Sequence, residues 1–250
     1  MPGSSALDVL TEDLLVRVRE KIGDELDSKT WRLVCKEFSR VDSVTRTTLR
    51  VLRVEFLFIL LDKYPNIKTL DLSVCPRVND RTVSFLLSQH SLSWTRSLKS
   101  LILSRSTGLR YRGLSLGDTE AEVFNFYILF PLITNYWTKV FVLDVLEGLE
   151  MLARACPFLE SVDLSYCCGF GDREAAALSF ASRLKEVKLD KCLNVTDVGL
   201  AKIAVRCVNL ERLSLKWCME ISDLGIDLLC KKCLDLKSLD VSYLKVCIMY

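Results

Sequence analysis

Apolar residues recur along this chain in one fixed spacing, apolar-x-x-apolar-x-apolar. Six triplets have this spacing: Ile67, Leu70 and Leu72; Leu98, Leu101 and Leu103; Leu159, Val162 and Leu164; Leu184, Val187 and Leu189; Leu210, Leu213 and Leu215; Leu236, Leu239 and Val241. Successive triplets begin 31, 61, 25, 26 and 26 residues apart. Since alternate side chains of a β-strand share one face, each triplet predicts a short strand whose apolar residues face inward.

Amphipathic segments fill the intervals between the triplets. Residues 197–204, for example, predict a helix that returns along the outside of the strands. No unit of this size buries its leucines alone, so neighbouring units must stack. The pattern therefore predicts an α/β fold, a leucine-rich-repeat solenoid of about six units over residues 51–250. We expect an open horseshoe segment with parallel strands inside and helices outside.

The interval of 61 residues is 35 residues longer than one repeat. Comparison with neighbouring repeats places the excess at residues 115–149, and a Gly-Leu pair at either 113–114 or 148–149 can begin the helix that follows. Pro131 and Lys139 interrupt the apolar stretch well short of the ~20 residues that a membrane span requires. Because its composition is unlike that of the repeats, we hypothesise that the insertion is retained intron sequence. Transcripts that lack it would support this hypothesis, and its constant inclusion would contradict it.

The C-terminal residues 245–250 are mostly apolar and carry no polar capping repeat. A solenoid normally ends in such a cap, because its last unit otherwise exposes its apolar side. We therefore expect a truncated array.

The N-terminal residues 7–50 do not follow the repeat and predict short helices. The first helix begins after Asp8 or Thr11 and ends at residues 23–24, with Leu14, Leu15, Val18 and Ile22 on one face. A second helix is predicted from Asp27 or Ser28 through Phe38, with Trp31, Val34, Cys35 and Phe38 as its apolar stripe. One interpretation is that these stripes only cover the open end of the solenoid.

Two stretches of this segment carry a more specific pattern. Residues 10–18 read Leu-Thr-Glu-Asp-Leu-Leu-Val-Arg-Val, and residues 33–38 read Leu-Val-Cys-Lys-Glu-Phe. Together they resemble an F-box, although Thr11 stands where that family usually carries proline. With repeats of the cysteine-containing type, such as residues 192–200 and 218–225, the chain resembles plant F-box/LRR-repeat proteins everywhere except in the insertion and the tail.

The resemblance implies a function without bond chemistry. It implies a small all-helical F-box at residues 1–50 that docks on a Skp-family adaptor, and through it on the cullin and RING subunits of an SCF-type ubiquitin ligase. The repeats would hold the protein to be ubiquitinated for proteasomal degradation. The residues implied in adaptor binding or in holding the F-box helices are Leu10, Leu14, Leu15, Val18, Trp31, Val34 and Phe38.

The concave side of the predicted sheet is where we expect the substrate protein. Outward strand positions alternate with the leucines, and longer charged side chains appear there in the fourth and fifth strands. The candidate substrate-binding residues are Asp163, Glu186, Lys188, Arg212, Lys216 and Trp217. For any one of them, an ordinary solvated strand face is the competing interpretation.

Composition narrows the partners further. The chain has 34 basic and 32 acidic residues, mixed along its length, so neither nucleic acid nor a membrane is expected as a partner. The N-terminus lacks the pattern of a secretory signal, which favours the nucleus or cytoplasm. There the eleven cysteines would be reduced, and seven of them are in phase with the repeat.

We expect no catalytic residue, metal or cofactor. The pair Cys230 and Cys233 has the spacing of half a zinc site, but Cys233 is in repeat phase and no second pair accompanies it. The single histidine, His90, lies at the end of a predicted outer helix.

Three other interpretations compete with the ligase subunit. The chain could be a free-standing repeat scaffold, a small-molecule sensor like the plant hormone-receptor F-box/LRR proteins, or a non-productive truncated isoform. Six repeats make a short arc for the sensor.

Overall fold

The fold is described from a computed structural model. It describes residues 11–22, 25–75, 78, 80–88, 92–105, 148–167 and 169–244. Most of the insertion expected at 115–149, as well as Leu10, His90, Cys168 and the tail at 245–250, lie outside the described residues.

After an N-terminal run of three helices, short strands are separated by helices, with two of these helices between the second and third strands. The helices are α1 (Glu12–Lys21), α2 (Glu25–Val34), α3 (Lys36–Thr45), α4 (Leu57–Lys63), α5 (Asp80–Ser88), α6 (Ser93–Ser97), α7 (Gly148–Ala155), α8 (Asp172–Leu178), α9 (Asp197–Arg206) and α10 (Asp223–Lys232). The strands are β1 (Thr48–Arg50), β2 (Thr69–Asp71), β3 (Ser100–Ile102), β4 (Ser161–Asp163), β5 (Glu186–Lys188), β6 (Arg212–Ser214) and β7 (Ser238–Asp240).

The strands form one parallel sheet in chain order, β1 to β7. Each predicted triplet supplies one strand, and its middle residue is the central residue of that strand, as in the pairing of Leu70 with Leu101 and of Val187 with Leu213. A repeat of strand and outer helix stacked in register is the arrangement of a leucine-rich-repeat solenoid, which confirms the repeat part of the predicted fold class.

The sheet begins earlier than the predicted boundary at residue 51. Strand β1 pairs with β2 through Leu49 and Leu70, so the array has a further strand ahead of the six predicted. In this unit Arg46 stands where the other triplets have their first apolar residue. Because of this arginine, the apolar triplet pattern is not recognisable in the sequence of this unit.

The core of the array is a continuous stack of apolar side chains between the sheet and the helices. Ile67, Leu98, Leu184 and Leu210 are all fully buried, as are the central strand residues Leu101 and Val187. Burying each such side chain contributes about 2 kcal/mol. Because many buried side chains each add a similar contribution, strands of three residues are long enough to hold the array together.

Buried cysteines connect neighbouring repeats. The thiols of Cys167, Cys192 and Cys218 donate to the carbonyls of Leu103, Leu164 and Leu189 in the preceding repeat, at 3.2, 3.3 and 3.0 Å. Burial raises the pKa of Cys218 to about 11, and it raises the pKa of Cys192 further. The cysteines in repeat phase are therefore structural thiols, as the repeat predicted.

Aspartates at the starts of helices also connect repeats. Asp172 accepts hydrogen bonds from the backbone N–H and hydroxyl of Thr196 at 2.8 and 2.7 Å, and from the N–H of Gly199 at 3.0 Å. Asp197 accepts the equivalent pair from Ser222 at 2.8 and 2.6 Å. A Cβ added at Gly199 would collide with Oδ1 of Asp172 and would lie 3.1 Å from the Cα of that residue. Glycine is needed there for close approach.

The N-terminal helices form a second, small core. Leu15, Trp31 and Val41 are its buried residues, and Phe38 packs against them. The helix predicted through Phe38 is wrong in one respect, because α2 ends at Val34 and α3 begins at Lys36 after an extended Cys35. This break brings the Trp31 ring to 4.2 Å from the Phe38 ring, and the Trp31 N–H donates to the Phe38 carbonyl at 3.1 Å.

A buried carboxylate joins the two cores. Asp42 is fully buried and pairs with Arg19 at 3.1 Å and with Arg46 at 2.9 Å. The Arg46 guanidinium also lies 5.2 Å from the ring centroid of Tyr64, and Asn66 donates to the carbonyl of Val44 at 2.8 Å. The helical segment is thereby held in one orientation on the first repeats.

Candidate protein-interaction surfaces

The face of the sheet away from the helices, here called the open face, carries most of the predicted substrate-binding residues. Arg212 on β6 pairs with Glu186 on β5 at 3.1 Å, and Glu186 is also 3.5 Å from Lys188. The carboxylate of Asp163 on β4 accepts from the backbone N–H of Ser165 at 2.9 Å. The structure thus brings Glu186, Lys188 and Arg212 together as one ion-pair cluster, with Asp163 turned toward its own backbone.

The residues that precede the strands alternate in charge. Lys99 is 3.4 Å from Glu160, Glu160 is 3.7 Å from Lys185, and Glu211 is 2.7 Å from Lys237. The hydrogen bond from Lys237 holds the pKa of Glu211 below its ordinary value. This edge of the open face neutralises its own charge.

The opposite edge carries a row of cationic and aromatic side chains. The strand-end ladder consists of Arg105, Tyr166, Lys191, Trp217 and Tyr243, one from each repeat from β3 to β7. The Arg105 guanidinium lies 5.7 Å from the Tyr166 ring centroid, and the Lys191 ammonium lies 5.1 Å from Tyr166 and 5.8 Å from Trp217. Trp217 and Tyr243 stack with centroids 4.3 Å apart.

Every residue of the strand-end ladder has a left-handed backbone. Their φ angles lie between 60° and 66°, and the turns close from the next residue, as in Cys192 N–H to Leu189 C=O at 3.0 Å. Such a conformation costs an L-residue roughly 1–2 kcal/mol, and glycine or asparagine usually occupies it. Backbone bonds between repeats hold it in place, since Tyr166 donates to Asp190 and Lys191 donates to Lys216, both at 2.7 Å.

Lys216 and Trp217, the remaining predicted residues, lie at this edge. Hydrogen bonds from Ser242 and from Lys216 lower the pKa of Asp240 to about 2, and the bond to Asp240 raises the pKa of Lys216. Lys216 therefore forms an ion pair with Asp240 at 3.0 Å, while Trp217 belongs to the strand-end ladder. The other members of the ladder were missed in the sequence, where the signal was a large residue directly before the cysteine phase position.

Exposed apolar side chains also lie on the N-terminal helices. Of the residues implied in adaptor binding, Leu15 and Trp31 are buried and Phe38 packs on them, so these three hold the helices together. In contrast, the side chains of Leu14, Val18 and Val34 are 45%, 47% and 59% exposed. We call these three the exposed helical trio. Sequence spacing alone could not separate the two groups.

The described residues support neither a metal site at Cys230 and Cys233 nor a membrane-spanning helix. Cys230 is exposed whereas Cys233 is buried and donates to the carbonyl of Cys207 at 3.6 Å, so the pair does not converge on one ion. In the described part of the chain, no group of three histidine, cysteine or acidic side chains could hold a metal. Within the same residues, no helix has the length and apolar character to cross a membrane.

Comparison with known proteins supports the repeat assignment. Residues 155–179, which include β4 and α8, match the leucine-rich-repeat family model. Leucine-rich repeats indicate a protein-interaction role. The match covers one unit of the array.

Solved structures with similar architecture include TLR13 in a complex with ssRNA13 (14% identity, TM-score 0.43, 82% of this chain and 22% of that chain) and an internalin from Listeria monocytogenes (13%, 0.47, 85% and 45%). The Drosophila Toll–Spatzle complex also matches (11%, 0.38, 95% and 32%). This chain therefore spans less than half the length of each of these proteins. TM-scores below 0.5 carry no functional argument.

Proposed function

We propose that this chain is a substrate receptor of an SCF-type cullin ubiquitin ligase. In this proposal the N-terminal helices are an F-box that binds a Skp-family adaptor, and the adaptor brings the cullin and RING subunits. The repeats hold a target protein for ubiquitin-dependent degradation. The chain itself performs no bond chemistry and raises the effective concentration of a target lysine near the charged enzyme.

The exposed helical trio is the observation that carries the proposal. Residues 11–45 bury only a small core, yet they keep Leu14 and Val18 exposed one turn apart on α1, with Val34 exposed at the end of α2. A partner that covered these apolar side chains would remove them from water, which supports a docking role for so small a unit. The resemblance of residues 10–18 and 33–38 to an F-box names the partner as the adaptor.

The link through Asp42 supports the same function. A receptor must hold its target in a fixed direction relative to the ligase, because positioning is its whole contribution. Asp42, Arg19 and Arg46 fix the helical segment on the array, and Arg46 itself belongs to the first repeat. The described cysteines are free thiols, which supports placing the chain in the nucleus or cytoplasm.

Co-purification of the adaptor with the intact chain tests the proposal. The wild-type chain should retain a co-expressed Skp-family adaptor, and Leu14→Asp combined with Val34→Asp should lose it. Leu224→Asp is the matched control, since Leu224 is an exposed leucine on α10. Equal recovery with the double variant, or no recovery with the wild type, would favour a free-standing repeat scaffold.

A further inference from the structure

The left-handed backbone of the strand-end ladder does not favour the large side chains that it carries. Tyr166, Trp217 and Tyr243 occupy left-handed positions that glycine or asparagine would adopt with less strain, and they are 45%, 41% and 63% exposed. At the equivalent place after β2, Val74 is not left-handed. A strained left-handed backbone at exposed aromatic residues points to a binding role for their side chains.

The charges around the ladder favour an anionic ligand. Nearby carboxylates already accept backbone hydrogen bonds: Asp190 from the N–H of Lys216 in the next repeat at 3.2 Å, and Asp240 from the N–H of Ser242 in its own turn at 3.1 Å. Among the described residues, no carboxylate forms an ion pair with Lys191 or Arg105, whose cationic groups lie beside aromatic rings. Two cations therefore remain available for a ligand at this edge.

We propose that the strand-end ladder binds an acidic, extended segment of a partner protein. Carboxylates of the segment pair with Lys191 and Arg105, and its apolar atoms cover the rings of Tyr166, Trp217 and Tyr243. This inference rests on the proposed function, because it names the class of target that the repeats hold.

The spacing of the two cations suits such a segment. Lys191 follows β5 and Arg105 follows β3, two strands away, which is roughly 10 Å at the usual strand separation. A chain in the polyproline II conformation repeats every third residue on one side at about 9 Å. Carboxylates three residues apart in an extended segment crossing the strands therefore match the two cations.

Single-stranded nucleic acid also binds rows of aromatic and cationic residues. The ladder argues against it here, because a continuous phosphate backbone favours a groove lined with cations, whereas the described ladder carries two, Arg105 and Lys191, which lie two strands apart. An acidic peptide with two separated carboxylates matches this arrangement.

Selection from a random dodecapeptide library against the intact chain tests the proposal. The selected peptides should be enriched in Asp and Glu, and their affinity should fall at least about tenfold for Lys191→Glu and for Trp217→Gly. Trp217→Tyr should restore most of the binding. Lys232→Glu is the control, since it makes the same charge change at an exposed residue of α10.

Several outcomes would overturn the ladder proposal. These are selected peptides that are neutral or basic, acidic peptides that bind Lys191→Glu as well as wild type, no enrichment at all, or tighter binding of a fluorescent oligouridylate than of any selected peptide. A thermal unfolding midpoint of Trp217→Gly close to that of wild type shows that the variant is folded. Adaptor recovery is measured separately and does not involve these residues, so a failure of peptide binding is distinguishable from a failure of adaptor binding.

Discussion

The helical segment and the repeat array bury their apolar residues to different extents. In the array, the first and second residues of the triplets from 67 to 215 are almost completely buried by neighbouring units. Among the described residues of α1 to α3, the buried apolar side chains are those of Leu15, Trp31 and Val41, and the exposed helical trio remains outside. The array completes its own core by stacking, whereas the helical segment leaves apolar surface that another protein can cover. This difference is the one expected if the helical segment docks on another protein, as proposed.

Thiol labelling should show this contrast most strongly. Burial raises the pKa of Cys207 to about 12 and that of Cys218 to about 11, and both lie in the stacked core. We expect native alkylation of exposed Cys230 to be faster than that of Cys207 and Cys218 by about a thousandfold or more, because core opening costs most of the folding free energy. Site-resolved mass spectrometry measures the ratio. Similar rates would mean that the core of the array does not shield these cysteines from the reagent.

The next largest effect is expected where the two regions join. Asp42→Ala leaves the guanidinium groups of Arg19 and Arg46 without their shared buried carboxylate, and should lower the free energy of unfolding by about 3–5 kcal/mol. Glu37→Ala removes an exposed carboxylate on the same helix, 3.3 Å from Arg40, and should cost less than about 1 kcal/mol. Denaturant unfolding compares them. Equal effects would contradict the buried link.

A matched pair of neighbouring leucines tests which residues of the helical segment are core. Leu15→Ala removes a buried side chain and should cost about 2–3 kcal/mol. Leu14→Ala makes the same chemical change at an exposed position and should change stability by about 0.5 kcal/mol or less. If Leu14→Ala is as destabilising as Leu15→Ala in thermal unfolding, Leu14 is core and does not belong to a docking surface.

The smallest effect concerns contacts between repeats. Asp197→Ala removes two hydrogen bonds to Ser222 and should cost about 1–2 kcal/mol. Asp223 occupies the same place at the start of α10 and is exposed, so Asp223→Ala should change the free energy of unfolding by about 0.5 kcal/mol or less. Chemical denaturation of both variants gives the difference. A larger loss for Asp223→Ala would refute the inter-repeat role of these aspartates.

Much of the array could be predicted from the chain because one spacing governs it. The triplets located six of the seven strands, and the phase of the cysteines marked them as buried. Strand β1 was not predicted because Arg46 replaces its first apolar residue and forms an ion pair with Asp42. The break at Cys35 escaped as well, since neither glycine nor proline marks it and packing of Trp31 on Phe38 accompanies it.

The candidate sites were less predictable for a physical reason. Apolar periodicity shows which residues share a helix face, but the same face can supply core and docking residues, as Leu15 and Leu14 show. The strand-end ladder depends on left-handed turns, and large side chains such as Tyr166 and Trp217 are not the residues that signal such turns in a sequence.

Titration calorimetry of a purified Skp-family adaptor into the intact chain tests the central claim most directly. We expect one-to-one binding with a negative heat-capacity change, because the exposed helical trio becomes buried. The affinity should be at least about a hundredfold weaker for Leu14→Asp with Val34→Asp, and unchanged for Leu224→Asp. No binding by the wild-type chain, or equal affinity for the double variant, would contradict the assignment of the helical segment as the adaptor-binding module.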